Sequence, residues 1–211
     1  MKFRPLKDKP KDKKPKNTWE DHYTRKAKKE DYPARSVYKL QEIQRKFTLI
    51  KKGDRVLDLG CYPGSWLLYA AELTGAGGHV CGIDLKQTSI ALPPHARAFA
   101  GDILEPNETV TEILKPGYHV VLSDMAPATT GMKDVDAARS FELSSMALAV
   151  AEKVLVQGGS FACKIFQGED MESFVENVRA VFEKHRLFKP ESCRKQSKEI
   201  YIIGLDKKQS L

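Results

Sequence analysis

Four charged residues stand where the surrounding pattern calls for apolar ones: Lys39, Asp124, Lys164 and Glu199. Asp124 and Lys164 follow strand-like runs (HVVLS, then GSFAC), Glu199 opens a third (IYIIG), and Lys39 flanks the apolar stripe of an early helix. An isolated charge in a buried strand is costly unless it is paired. Strand ends of an α/β sheet are also where such folds place their chemistry. Brought together, two lysines, an aspartate and a glutamate make a proton-handling cluster. A lysine ordinarily titrates at about 10.4, and burial or a second cation is what lowers that value. The blander arrangement has Lys164 snorkelling from a strand end and Glu199 pairing with Lys198 or Arg194 on the surface.

A second set of residues suggests a ligand. After the first strand comes Asp58-Leu59-Gly60-Cys61-Tyr62-Pro63-Gly64-Ser65-Trp66. Glycines at 60 and 64 let the backbone turn tightly and approach a ligand. A dinucleotide site asks for G-x-G-x-x-G before the helix that receives a pyrophosphate. This loop has two of those glycines and a proline at its tip, which argues against NAD and for a ligand without phosphates. Three acids stand at successive strand ends, Asp84 (GIDL), Asp102 (AGD) and Asp124 (LSD), and line one rim of a doubly wound sheet. The first suits a ribose diol, the second an adenine amino group, and the third lies near the reacting end.

The elements that must position these residues alternate. ARSVYKLQEIQRKF carries Val37, Leu40, Ile43 and Phe47 on one helical face, with Lys39 at the edge of the stripe. RVLDLG, HVCGIDL, RAFAGD, YHVVLSD and GSFACKIF read as strands. Helices are expected from Pro63 to about Leu73, from Asn107 to Leu114, over roughly 136–156 ended by Gly158-Gly159, and over about 170–184 with Phe174, Val178, Val181 and Phe182 on one face. Gly131 to Asp136 reads as a polar lid before the long helix. RLFKP and EIYIIGL are about eight residues apart with no crossover helix between them, so they pair antiparallel at a sheet edge. The result is an α/β fold with a doubly wound, mostly parallel seven-stranded sheet and an antiparallel edge hairpin.

The loop DLGCYPGSW, the segment Ser123-Asp124-Met125-Ala126-Pro127 and the four charges resemble the FtsJ/RrmJ family of ribosomal RNA 2′-O-ribose methyltransferases, over about Asp31 to Leu205. That resemblance implies a Rossmann-like methyltransferase fold and S-adenosyl-L-methionine as the cofactor. It places the cofactor against Asp58, Gly60, Pro63, Gly64, Ser65, Trp66, Asp84, Leu85, Asp102, Ile103 and Asp124. Trp66 is also a candidate core aromatic against the first strand. The resemblance makes Lys164 the base, has Asp124 orient it and touch the cofactor, and completes the cluster with Lys39 and Glu199. It further implies a monomeric cytoplasmic enzyme that methylates a uridine of large-subunit (23S) ribosomal RNA in the assembled 50S subunit. The chain departs from the family's common Ala-Ala-Pro-Gly-Gly-Trp loop at Cys61, Tyr62 and Ser65, so contacts at the sulfonium end are expected to differ. Base-amino methyltransferases carry an Asn/Asp-Pro-Pro-aromatic loop that stacks a flipped base. Here Met125-Ala126-Pro127 stands in that place, which favours a sugar hydroxyl.

Composition bounds the alternatives. A chain of 211 residues, 41% hydrophobic, fits one core plus a tail. Residues 1–30 hold twelve Lys/Arg against five Asp/Glu, which accounts for the whole net charge of +7. This arm, set apart from a methyltransferase domain at 31–211, is expected to bind phosphate backbone, and its Lys7–Lys16 stretch, broken by prolines, to lack structure. No apolar run approaches the roughly 20 residues of a membrane span. Cys61, Cys81, Cys163 and Cys193 have no metal spacing and fit buried thiols in a reducing cytosol, and the five histidines share no ligand pattern. Two other readings compete. The basic arm disfavours a small-molecule O-methyltransferase, and four costly charges disfavour a non-catalytic RNA-binding assembly factor.

Overall fold

A computed structural model describes residues 18–194 and 196–209. Lys7–Lys16 therefore lie outside the described residues. Of the basic arm, Thr18–Lys29 forms helix α1, seated on the domain through a cluster of Ala27, Val37 and Tyr38 with Tyr23, Tyr32 and Tyr69 against it.

From there the order is α2 (Val37–Phe47), β1 (Arg55–Leu59), α3 (Ser65–Thr74), β2 (His79–Asp84), β3 (Ala96–Ala100), α4 (Glu108–Ile113), β4 (Tyr118–Ser123), α5 (Lys133–Val154), β5 (Leu155–Phe166), α6 (Met171–Val181), β6 (Phe182–Phe188) and β7 (Glu199–Lys207). The seven strands form one sheet in the order β3-β2-β1-β4-β5-β7-β6. Strands β1 to β5 pair in parallel. β7 runs antiparallel to both β5 and β6, leaving β6 at the edge. The sheet is covered on both faces, which is why the central strands are almost continuously apolar. One core cluster joins Leu57, Leu59, Ile83 and Val121 to residues of α4, α5 and α6. The other joins Val56, Val80, Val120 and Tyr201 to residues of α2 and α3. Among the described residues no helix is long and apolar enough to cross a membrane.

Three boundaries differ from the sequence pattern. The long helix ends at Val154, and Gly158-Gly159 lie inside β5 rather than closing the helix. Leu155 pairs with Tyr118 and Ser160 with Val120, so the intervening residues bulge out of register. Gly158, at φ +77°, takes up that turn. Second, α6 stops at Val181 because Phe182 has better partners as a strand residue. It pairs with Lys207 and stacks on Phe161, ring centroids 5.9 Å apart. Third, α5 begins at Lys133, so the last four of the six residues of the expected lid are helix. The Asp136 carboxylate ties down the rest by accepting from Thr130 N–H (2.7 Å), Thr130 Oγ (2.9 Å) and Gly131 N–H (3.2 Å). These hydrogen bonds hold its pKa below the usual carboxylate range.

The far end of α5 has its own cation. Lys207 Nζ, buried at the end of β7, donates to the carbonyls of Glu152 and Leu155, where the helix leaves acceptors unsatisfied.

Candidate active site

The antiparallel return of β7 explains how four charges so far apart in sequence converge. In a parallel sheet only strand ends reach the C-terminal rim, and Glu199 begins its strand. Because β7 runs backwards, Glu199 comes to lie opposite Phe166 and Tyr201 opposite Lys164. Asp124 follows β4, the parallel neighbour of β5 on its other side. Lys39 reaches the same point from α2.

The Lys164 side chain is 5% exposed, and its Nζ stands 3.0 Å from Asp124 Oδ1. It also donates to the Asp124 backbone carbonyl. Lys39 Nζ donates to Glu199 Oε2 at 2.8 Å and lies 3.9 Å from Asp124 Oδ1. The four charges therefore form one connected cluster with Asp124 at its centre. Burial pushes the Asp124 carboxyl upward, but Lys164, Lys39 and a hydrogen bond from Tyr201 outweigh it and hold the group below its usual range. Burial likewise disfavours the Lys39 ammonium, yet Asp124 and Glu199 prevail and raise its pKa. Lys39 is thus a fixed cation. Two serines of α5 secure the backbone at the end of β5: Ser144 Oγ donates to the Lys164 carbonyl at 2.9 Å, and Ser140 Oγ accepts from Phe166 N–H at 2.9 Å.

Tyr201 was hidden from sequence reading inside an apolar run. Its hydroxyl donates to Asp124 Oδ1 at 2.6 Å, and its ring lies 5.8 Å from Trp66 and under Lys39 Nζ at 5.9 Å. Burial, then Asp124 and Glu199, raises its pKa far above the ordinary phenol value, so it remains a donor. The available signal was strand period: Tyr201 is two residues from Glu199 and so shares its face. Losing a hydrogen bond to a charged group costs about 1.5–3 kcal/mol. Tyr201→Phe is therefore expected to lower kcat about tenfold or more while cofactor Kd holds, measurable by steady-state kinetics beside calorimetry.

Two cavities meet at this cluster. One, about 610 Å³, is bounded by Gly60, Tyr62, Asp84, Leu85, Asp102, Ile103 and Asp124, together with Met125, Ala126 and Pro127. The other, about 270 Å³, is lined by Arg35, Ser36, Lys39, Ala126, Lys164, Phe166, Arg194, Ser197 and Glu199. Ala126 belongs to both, with Asp124 on one side and Lys164 on the other.

In the larger cavity Asp84 and Asp102 occupy the rim expected for them. Asp84 accepts from Tyr62 N–H (3.0 Å) and Lys86 N–H (2.8 Å), and Asp102 from Leu104 N–H (2.8 Å). Leu85 and Leu104 are exposed on its wall. Gly60 sits at φ +76° with Met125 so close that an added Cβ would lie 2.5 Å from Met125 Cγ. Only glycine lets the two loops meet there. Tyr62 stands at the Asp84 side of the cavity with Lys86 Nζ 5.5 Å from its ring, so the loop's departure from the common pattern bears on that end. Asp58 is fully buried, and neither carboxylate oxygen has a hydrogen-bond partner among the described groups. Burial, followed by the Asp124 and Asp84 charges, pushes its pKa well up.

The remaining loop residues do not line the cavity. Ser65 Oγ accepts from Ala34 N–H at 2.7 Å and donates to the Ala34 carbonyl at 3.1 Å. Trp66, 3% exposed, donates its ring N–H to the Ser36 carbonyl at 2.8 Å. Both tie α3 to the segment before α2, and Trp66 takes the core position. The Pro63 carbonyl accepts from Thr88 Oγ1 at 2.6 Å, and Gly64 caps α3. These four shape the loop from behind. The four cysteines are buried, with thiols pushed upward by that burial.

A protein-family model of FtsJ-like methyltransferases matches residues 32–207. A Desulforapulum autotrophicum protein named ribosomal RNA large subunit methyltransferase E is 61% identical over 193 residues, covering 92% of this chain and 95% of its own. Among solved structures, a Plasmodium falciparum protein provisionally assigned as a ribosomal RNA methyltransferase superposes with a TM-score of 0.72 at 26% identity, covering 85% of this chain and all of that one. Aeropyrum pernix fibrillarin, solved with natively bound S-adenosyl-L-methionine, shares the fold at a TM-score of 0.53 and 15% identity, over 74% of this chain and 68% of its own.

Proposed function

The chain belongs to the FtsJ-like methyltransferase family, and on that premise we propose that it methylates the ribose 2′-hydroxyl of a uridine in large-subunit (23S) ribosomal RNA, within the assembled 50S subunit in the cytoplasm. It is an enzyme whose methyl donor is S-adenosyl-L-methionine. The observation that carries the ribose assignment is the Lys164–Asp124 pair, 3.0 Å apart where the two cavities meet.

The larger cavity suits the donor. Its acids at Asp84 and Asp102 match a diol and an amino group, Leu85 and Ile103 offer apolar walls, and Gly60 admits close backbone approach. The Asp58 carboxyl, fully buried two residues before Gly60 with neither oxygen partnered among the described residues, ionises readily only when a cation comes near. When bound, the cofactor supplies an electrophilic methyl on a sulfonium. Asp124, shared between cavity and cluster, holds Lys164 at the junction and keeps it aimed. Lys164 Nζ orients the 2′-hydroxyl and, having first given up its own ammonium proton to solvent, takes the hydroxyl proton as the new bond forms. Lys39, a fixed cation paired with Glu199, stabilises negative charge building on the attacking oxygen. Alignment of oxygen, methyl and leaving sulfur is the rest of the work.

Asp58 makes donor binding depend on pH. Its carboxyl favours the protonated form in the free protein, and a cationic ligand favours the carboxylate. Affinity should therefore rise with pH, by up to about tenfold per unit while Asp58 remains protonated, then level off. Calorimetric Kd values across pH should show this slope, and Asp58→Asn should flatten it.

The substrate is tested by incubating the enzyme with radiolabelled S-adenosylmethionine and either assembled large subunits or naked ribosomal RNA. Label in the ribose of one uridine, preferentially in assembled subunits, is expected. Label confined to small molecules would overturn the reading.

A further inference from the structure

Beside the site lies a second groove of about 530 Å³, between α1, α2 and the loop after β6. Four basic side chains, Lys26, Arg45, Lys46 and Lys189, line it and all are exposed. Their heads are positioned from beneath: Lys26 Nζ lies 4.4 Å from the Tyr38 ring centroid and Lys46 Nζ 4.5 Å from that of Phe188. Lys189 Nζ donates to the Ser197 carbonyl at 2.8 Å. Two acids share the groove, Glu42 and Glu191. Glu42 is occupied, accepting from the backbone N–H of Glu191 (2.6 Å) and of Ser192 (2.9 Å). Four lining groups are basic and two acidic, one acid being engaged by donors, and Lys26 also has the neighbouring Glu30 Oε1 at 3.8 Å.

Arg35 connects this groove to the cluster. It lines the small cavity with Lys39 and Lys164, its guanidinium lies 5.3 Å from the ring of Tyr23 in the groove wall, and it donates to the Ser192 carbonyl at 2.6 Å. A ribose methylated inside a polymer must leave its pocket through both flanking phosphates. A line of cations leading away from the small cavity is the complement of one of them.

We propose that this groove carries the RNA strand flanking the methylated nucleotide, with phosphates on Lys26, Arg45, Lys46 and Lys189. The proposal rests on RNA being the substrate. Contacts of this kind are indifferent to sequence and sensitive to salt.

The test is fluorescence anisotropy of a labelled single-stranded RNA of about 20 nucleotides across a salt series, using the full chain. Each phosphate contact in single-stranded RNA contributes about 0.7 to the slope of log affinity against log salt. Lys26→Gln/Lys46→Gln should reduce that slope by about 1.4 and weaken low-salt binding about tenfold or more, with cofactor Kd unchanged. Glu191→Gln should tighten RNA binding, a gain that misfolding does not produce. If wild-type enzyme methylates RNA and neither variant alters binding or slope, the groove assignment is overturned alone. Absence of RNA methylation by wild-type enzyme would overturn both readings. Weaker binding to assembled subunits with naked-RNA binding unchanged would give the groove to a ribosomal protein and overturn the proposal.

Discussion

Lys164→Ala is expected to reduce the rate of methyl transfer about a thousandfold while leaving cofactor affinity within about twofold. Positioned general bases contribute on the order of 10²–10⁴. Lys164 supplies the one group that both reaches the smaller cavity and is held by Asp124 at 3.0 Å. The cofactor cavity is bounded by other residues, so its affinity should persist. Single-turnover rates and calorimetric Kd for the same variant separate the two effects. Near-normal turnover with an intact fold would remove Lys164 from the chemistry.

Asp124→Ala should be worse, because it damages chemistry and fold together. The substitution deletes the acceptor for Tyr201, the partner of Lys164 and the nearby charge for Lys39. Removing one member of a buried ion pair commonly costs about 3–5 kcal/mol, since the other charge stays behind uncompensated. Urea denaturation should show a loss of that order, together with transfer activity at background. The same pairing sets a pH window. The lowered Asp124 pKa adds stability above the unfolded carboxylate value of about 3.9, lost as pH falls through the folded value. The raised Lys39 pKa adds stability below about 10.4, lost as pH rises through its folded value.

Lys39, Asp124, Lys164 and Glu199 were legible because each breaks an apolar or neutral pattern, and strand order was legible because helices and strands alternate with period. Their meeting depended on a hairpin readable from spacing: the short gap between the last two strands required β7 to run backwards, and that reversal puts Glu199 on the correct rim. Tyr201 was not legible, since a tyrosine in an apolar strand breaks no pattern until its hydroxyl finds Asp124. Trp66 shows the converse. Its place after the loop suggested the ligand, but a ring N–H that can donate to the Ser36 carbonyl is as well satisfied in the core. α5 and α6 end short of what helical period predicts because tertiary pairing overrides it, at the Leu155–Tyr118 bridge and at Phe182. The groove beside α2 joins α1, α2 and a distant loop, so no local pattern reveals it.

Mapping the methyl group on RNA recovered from parallel reactions of wild-type enzyme and Lys164→Ala tests the assignment most directly. A 2′-O-methyl group at one nucleotide, formed by wild-type enzyme and absent with the variant, is the predicted result. A methyl group on a base, or equal ribose methylation by both proteins, would contradict it.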